Sequence, residues 1–532
     1  MERLNHNQET VDSSPISAFY RHSTANPDRI ALVVGGSSYT YGELAGISKR
    51  VAGFLGRPAR VGVLASRSLE AYVGILGTLW SGAAYVPINP KVPEERLIQI
   101  LRITQLDALI VDSAGADHLS TRVLENAPRR ILAGSVPPSL QETANRMGVA
   151  VENLFALPES AWEEPVPVFE DALAYIMFTS GTTGVPKGVM VSAGSVAHLI
   201  RVLDRRYRLG PGDRVSQVFE LTFDLSVFDM FMTWSAGATL CVVPAEQLLG
   251  PGKFIREQRL TIWFSTPSTV AFMQKMRMLG QGVFPNLRCS LFCGEPLPVA
   301  SAQAWQVAAP NSIVDNLYGP TEATVACTVQ RLTNPPIVTT GRGILAIGEP
   351  FPGMGAAVVD SELKPVLTSE PGELILTGPQ LARGYFGDPE LTASRFPTIW
   401  GKRWYRTGDL VYQDAALAFH HLGRIDNQVK ILGNRVELEE VEAHLRAITG
   451  TDLVAVVAWP IADGCASGIA AFLCGSRVEA QAAREAMRER VPSYMVPQRI
   501  EDIDPMPLSP SGKVDRKALL RRLEQSSKGA AA

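Results

Sequence analysis

Apolar and polar positions alternate along this chain in two rhythms. Runs of strand length, "RVGVLA" (60–65), "DALIVD" (107–112) and "ALAYIMF" (172–178), are interleaved with stretches of helical spacing near 68–81 and over "SVAHLIRVLDRRY" (195–207). Such alternation predicts parallel sheets covered by helices. The longest uncharged stretch, 71–90, contains Ser81, Pro87 and Asn89, and it reads as a buried helix followed by a strand rather than a membrane span. From about 341 to 420 the runs become short and broken by Gly and Pro, as in "GELILTGPQLARGYFGDP", which predicts a β-rich subdomain. After "HHLGRIDNQVKILGNRVELEEVE" a second, smaller alternation follows: "LVAVVAW", "GIAAFLC" and the helix-like "VEAQAAREAMRERV".

The expected fold is therefore α/β. Residues 15–424 form a large N-terminal unit of parallel sheets with helices plus the β-rich subdomain, and residues 425–532 a small mobile C-terminal α/β unit. The boundary falls near Gly423–Asp426, and residues 1–14 are expected to be disordered.

Composition changes this picture little but excludes several classes. Hydrophobic residues make up 46% of the 532 positions, charged residues 19%, and the net charge is −3. That is ample for a sizeable core and too long for one compact domain. The near-neutral balance gives no electrostatic basis for binding nucleic acid or an anionic membrane. The polar start "MERLNHNQETVDSS" lacks the apolar segment of a signal peptide, and the six scattered cysteines form no CxxC pair. Reduced thiols in a cytoplasm are the expectation.

The densest chemical signal is "FTSGTTGVPKG" (178–188), which packs three glycines, four hydroxyls and a lysine behind a predicted strand. Backbone N–H groups in a glycine-rich turn make an anion-binding concavity, and hydroxyls plus a lysine add donors and charge. The Walker A pattern fails here, because Lys187 follows Pro186 rather than Gly and Gly188 stands where Ser or Thr would. A phosphate loop of another kind is predicted.

Downstream stand "NLYGPTEAT" (316–324), "GELILTGPQLARGY" (372–385), "WYRTGDL" (404–410), "GRIDNQVKILGNRVELEEVE" (423–442) and "PLSPSGKVDRKAL" (507–519). In this order, from about residue 15 to 523, the set resembles the adenylate-forming superfamily, and specifically the amino-acid adenylation domains of nonribosomal peptide synthetases. The resemblance implies that a carboxylate and MgATP give an acyl-adenylate and pyrophosphate, and that the acyl group then passes to a thiol. Such chemistry needs charge neutralisation and in-line positioning more than acid–base groups.

The resemblance also implies roles. Thr179, Ser180, Thr182, Thr183 and Lys187, with Gly181 and Gly184, would wrap the β- and γ-phosphates of ATP. Thr321 would contact the α-phosphate and Glu322 would hold Mg²⁺, a hard cation suited to one or two carboxylates plus phosphate oxygens. Tyr318 would pack on adenine with Asn316 at the base edge. Asp409 would accept the ribose hydroxyls, aided by Arg424. Lys513 would bridge the carboxylate and the α-phosphate during adenylation, then leave as the C-terminal unit turns about a hinge at Asp426. Singly, each has a plainer reading: Tyr318 as core, Asp409 as a turn residue, Glu322 as a helix N-terminal charge, Lys513 as a solvated lysine.

For the substrate, "FELTFDLSVFDMF" (219–231) matches the family's pocket segment. Asp224 falls where amino-acid-activating members bind the α-ammonium by a charge-assisted bond; its plainer reading is a helix N-cap. The other pocket positions by motif register are Leu225, Phe228, Ser265, Leu291, Cys293, Leu317, Val325 and Ala326. None is charged, so a charged substrate side chain would lack a partner. The pattern looks most like the proline-activating enzymes, with cysteine, serine, alanine or a nonproteinogenic analogue as alternatives. No "GGxS" carrier motif follows Lys513, and His420-His421 lack the HHxxxDG spacing of a condensation domain, which suggests a strand end. A separate phosphopantetheinylated carrier protein is the implied partner. An acyl-CoA ligase for a small carboxylic acid, or a catalytically dead scaffold, are the competing functions.

Overall fold

The computed structural model describes residues 13–180, 186–462, 465–508 and 514–529. The expected disordered start falls mostly outside these residues; Ser13, at its end, donates its N–H to the Val168 carbonyl.

Two large sheets, of eight and nine strands among the described residues, carry most of the chain before residue 390. In the eight-stranded sheet, Arg60–Leu64 lies parallel between Ala84–Ile88 and Ala108–Val111. Leu173–Thr179 continues the sheet beside Ala84–Ile88, and Lys187–Ser192 folds back on it antiparallel. The nine-stranded sheet places Arg214–Gln217, Ile262–Ser265, Cys289–Phe292 and Ile313–Tyr318 side by side in parallel. All five residues of Ala84–Ile88 are buried, as a strand covered on both faces requires.

The uncharged stretch 71–90 resolves into the helix Leu69–Trp80 and that buried strand, as its pattern predicts. Ser68 caps the helix by accepting the Ala71 N–H, and every residue from Ala71 to Trp80 is buried. Among the described residues no helix is long and apolar enough to cross a membrane. The helix Ala193–Tyr207 begins under a Ser192 cap and ends at Arg208 in the left-handed conformation.

The Gly/Pro-broken region forms a four-stranded antiparallel sheet of Gly355–Val359, Gly372–Thr377, Tyr405–Gln413 and Phe419–Arg424. His420 and His421 lie in this last strand. From Gln428 onward the chain builds separate sheets, including Gln428–Ile431 with Asn434–Glu437 and Val454–Ala458 with Ile469–Leu473. Two clusters of buried apolar side chains are drawn wholly from this C-terminal part.

One contact ties the C-terminal part to the first sheet's helices. Arg96 Nη1 lies 2.7 Å from Glu440 Oε1, with side chains 7% and 0% exposed. Removing one partner of such a buried pair costs about 3–5 kcal/mol, because the other charge is left desolvated and alone. Glu440→Ala should therefore loosen the C-terminal unit rather than unfold the chain. Tryptic cuts between residues 424 and 435 are expected to appear sooner than in the parent protein; equal cleavage would show that the pair does not hold the two parts together.

Candidate active site

The segments that follow the parallel strands, together with the antiparallel strand Tyr405–Gln413, bring buried carboxylates close together, among them Asp224, Glu322 and Asp409. Asp409 and Arg424 are cross-strand partners in the antiparallel sheet. Arg424 Nη1 donates to Asp409 Oδ1 at 2.9 Å, the Tyr318 hydroxyl donates to Oδ2 at 2.5 Å, and His421 Nε2 lies 3.3 Å from Oδ1. Burial alone would raise this carboxyl, but Arg424, His421 and Tyr318 outweigh it and hold it well below the usual range. Arg424 also grips Asp426 through Nε and Nη2 at 2.8 and 2.7 Å. Gly408 makes room for this clasp: its φ is +72°, and a Cβ there would stand 2.7 Å from Arg424 Nη2. Asn316 donates from Nδ2 to the Ala346 carbonyl, while its buried Oδ1 has no partner among the described residues.

Glu322 sits in the short helical turn Thr321–Ala323, 1% exposed. Tyr385 donates its hydroxyl to Oε1 at 2.8 Å, and Arg435 Nη1 reaches both carboxylate oxygens at 3.1 and 2.9 Å. Burial pushes Glu322 up, and the Arg435 guanidinium, with Tyr385, more than reverses it. The backbone just beyond is strained: Thr324 and Val325 have φ of +56° and +69°, a region that a β-branched residue rarely enters. Gln380 holds it, accepting from the Thr324 hydroxyl through its backbone carbonyl and donating from Nε2 to the Ala326 carbonyl at 2.7 Å.

Asp224 occupies the N-cap position of the helix Leu225–Ser235, yet its side chain makes no capping bond. The capping alternative is thereby set aside. The carboxylate is buried, with Thr321 and the Val325 backbone as nearby polar influences, and Oδ2 has no partner among the described residues. Burial dominates, and the carboxyl is pushed up to about 6.

Of the pocket positions, Leu225, Cys293 and Leu317 line a cavity of about 270 Å³ together with Asp224, Tyr318 and Asp409. Phe228, Leu291, Val325 and Ala326 are fully buried behind it in the same apolar cluster. Ser265 requires correction. Its hydroxyl accepts from Trp263 Nε1 at 3.0 Å, so it shares Trp263's face of the strand and points away from Phe228. Phe264, one residue earlier, is the one on Phe228's side: its ring packs 4.6 Å from that of Phe228. Burial pushes the Cys293 thiol up to about 12, so it is a packing group rather than a nucleophile.

Lys187 pairs with Thr179 across the hairpin, and its ammonium lies 3.2 Å from Glu437. Gly181, Thr182, Thr183, Gly184 and Lys513 lie outside the described residues. A second cavity of about 550 Å³ is lined by Thr179, Ser180, Thr266 and Leu432, and shares Asp224, Thr321 and Arg435 with the first. Sequence reasoning missed Phe264, His421, Arg435 and Glu437. Only the strand's two-residue period could have exposed Phe264; Arg435 and Glu437 act through partners distant in sequence, and His421 through a cross-strand neighbour twelve positions away.

Comparison with known proteins defines the class. The chain matches the model of the AMP-binding enzyme family over residues 19–386 and belongs to that family. It is 36% identical over 518 residues to phosphinothricin tripeptide synthetase PhsC of Streptomyces viridochromogenes, covering 94% of this chain and 44% of that protein. With bacitracin synthase 3 of Bacillus licheniformis the identity is 33% over 529 residues, covering 96% of this chain and 8% of the relative. The chain thus spans less than half the length of these curated relatives. Among solved structures, it is similar to the Vibrio cholerae adenylation domain AlmE in complex with glycyl-adenosine-5'-phosphate: 33% identity, TM-score 0.89, covering 98% of this chain and 100% of that one. IdnL7 is 35% identical, with a TM-score of 0.73 and the same coverage. Family and fold together make the chain an AMP-binding enzyme with the architecture of an adenylation domain.

The contrast between Asp224 and its neighbours predicts a pH profile. An ammonium ligand needs Asp224 ionised, whereas Glu322 and Asp409 stay ionised to lower pH. kcat/KM for the amino acid should be level above about pH 6 and fall about tenfold per unit below it. ATP–pyrophosphate exchange measured from pH 5 to 8 checks this, and a profile without a break near 6 would remove Asp224 from the substrate site.

Proposed function

We propose that the chain, working in the cytoplasm, condenses a small neutral amino acid with ATP to give aminoacyl-AMP and pyrophosphate. It then transfers the aminoacyl group to the phosphopantetheine thiol of a separate carrier protein. The observation that carries this reading is Asp224: a buried carboxylate with an unpartnered oxygen, on the wall of the cavity that also holds Tyr318 and Asp409.

In this reading Tyr318 and Asn316 hold adenine and Asp409 accepts the ribose hydroxyls. Arg424 and His421 keep that carboxylate charged and oriented. Thr179, Ser180, Thr182, Thr183 and Lys187, with Gly181 and Gly184, receive the phosphates, and Thr321 the α-phosphate. Glu322 fits Mg²⁺, since it is a buried carboxylate whose oxygens already carry a positive group; the metal would neutralise phosphate charge. Lys513 serves the first half-reaction, and the unit from residue 425 turns about Asp426 between the two. The second cavity, which meets the first at Asp224 and Thr321, gives the carrier's thiol a route to the adenylate.

Asp224 binds the substrate ammonium, while Leu225, Phe228, Phe264, Leu291, Cys293, Leu317, Val325 and Ala326 bound its side chain. Within the small neutral class, the pocket residues read from the sequence favour L-proline, whose secondary ammonium keeps two N–H donors. Phe264 adds bulk in place of Ser265, which favours glycine or alanine; the AlmE structure carries a glycyl adenylate.

Exchange with proline, alanine and glycine should exceed that with leucine, phenylalanine, aspartate and lysine by about 10–200-fold per methylene-sized misfit, and more for the charged pair. The ranking of the first three decides among them, and equal exchange with the deaminated acids would favour an acyl-CoA ligase instead. Lys513→Ala should slow adenylate formation by about two to three orders of magnitude. Carrier loading from supplied aminoacyl-AMP should be far less affected, and equal losses would remove Lys513 from the first half-reaction.

A further inference from the structure

The adjacent histidines His420 and His421 are both met by one small hairpin, formed by Val338–Thr339 and Ile344–Leu345. The Thr339 hydroxyl lies 3.3 Å from His420 Nδ1. Arg342, in the turn, donates its backbone N–H to the Thr339 carbonyl at 3.1 Å. Its side chain reaches the second histidine twice: Nη1 lies 3.2 Å from His421 Nδ1 and donates to the His421 carbonyl at 3.0 Å. The other ring nitrogen of His421, Nε2, lies 3.3 Å from Asp409 Oδ1. Arg342, His421 and Asp409 line the same cavity as Tyr318.

The chemistry of the three groups leaves one assignment of the imidazole. A guanidinium can only donate, so His421 Nδ1 accepts from Arg342. Asp409 is held well below the usual carboxylate range, and an ionised carboxylate can only accept. His421 Nε2 therefore carries the ring proton and donates it to Asp409. The opposite tautomer would set N–H against N–H on one side of the ring and a lone pair against a carboxylate on the other. Because Arg342 holds the ring and the backbone of one residue through one nitrogen, it also fixes the direction of the imidazole.

That direction decides what the carboxylate has left to offer. Asp409 Oδ1 receives Arg424 at 2.9 Å as well as His421, and Oδ2 receives the Tyr318 hydroxyl at 2.5 Å. An ionised carboxylate has about four lone-pair sites, so these donors leave one, on Oδ2. The His421 ring is 6.3 Å from that of Tyr318, near enough to compete for this last site if it turned. We propose that Arg342 is a positioning residue for the nucleotide, which by pinning His421 to Oδ1 keeps Oδ2 of Asp409 open to a ribose hydroxyl. This rests on the reading of Asp409 as the ribose acceptor and adds to it a residue that acts only through His421.

The test is calorimetric titration of the whole protein with MgATP and with the magnesium complex of 2′,3′-dideoxy-ATP, comparing the parent with Arg342→Met. The variant should bind MgATP about three- to tenfold more weakly, the worth of one hydrogen bond. Its affinity for the dideoxy nucleotide should be unchanged, since that ligand has no hydroxyl for Asp409 to accept. Arg342→Lys, which keeps a donor for Nδ1, should recover most of the loss. In a His421→Phe background, Arg342→Met should cost nothing further. If Arg342→Met fails to fold, Arg342→Gln, too short to reach Nδ1 as arginine does, takes its place. Unchanged MgATP affinity would overturn the proposal. So would equal losses for both nucleotides, which would put Arg342 on the base or the phosphates, or a further loss without His421. A parent protein that binds the two nucleotides equally would instead remove the reading of Asp409 beneath the proposal; a parent that prefers ATP, with the variant unaffected, removes only the positioning role.

Discussion

Asp224, Glu322 and Asp409 are buried on or beside one cleft, which the buried Glu295 also lines, and the low dielectric around them requires that each be compensated. Asp409 has Arg424 and Glu322 has Arg435, and both are held below the ordinary carboxylate range. Asp224 has no guanidinium or ammonium in ion-pair contact among the described residues and one oxygen without a partner, and burial pushes it up to about 6. Chemically alike groups a short way apart are thus set in opposite directions by the presence or absence of one cation. The uncompensated carboxylate is the place where a positive ligand gains most. That asymmetry is the basis for proposing nucleotide on one side of the cleft and an amine on the other.

Holding the three in place constrains the backbone. Thr321 faces the cleft and Glu322 meets Arg435 and Tyr385, while the chain reverses immediately afterwards into the strand Thr328–Arg331 with Thr324 and Val325 at positive φ. Each such residue costs about 1–3 kcal/mol and persists only if its surroundings over-determine it. Gln380 supplies that restraint from the motif "GPQLARGY", bonding both sides of the strained pair. Its side-chain oxygen also lies 3.1 Å from His198 Nδ1, which anchors the clamp to the helix Ala193–Tyr207. The strain is local, and so are the contacts that offset it.

How much of this the sequence reveals follows from the range of each interaction. The helix Leu69–Trp80, the buried strand after it, the strand that leads into the glycine-rich loop and the shift to a β-rich region all follow from periods and breakers within some twenty residues. Asp224, Glu322 and Asp409 are legible as motif residues. Ser265 falls one position from the residue that packs on Phe228 because a continuous apolar run such as "TIWFS" does not reveal which face each residue takes; the Trp263–Ser265 bond and the Phe228–Phe264 contact do. Arg96 and Glu440 are 344 positions apart, Lys187 and Glu437 are 250 apart, and Glu322 and Arg435 are 113 apart. No local rule assigns such partners, since any surface arginine or glutamate carries the same signature until the fold brings the pair together.

The nature of the contacts between the two parts bears on what the fold can do. Among the described residues, none of the six clusters of buried apolar side chains mixes residues from before 424 with residues from beyond 428. What joins the parts is largely ionic: Arg96 with Glu440, Arg435 with Glu322, and Lys187 with Glu437. Separating a shared apolar core costs about 25 cal/mol per Å² with nothing returned, whereas separated ions regain their hydration. Ionic joints therefore suit parts that must dock and undock, because the desolvation that opposes docking favours release by the same amount. An interface of this kind is specific without being permanent. It can favour one arrangement while a ligand of matching charge, placed on either partner, is enough to favour another.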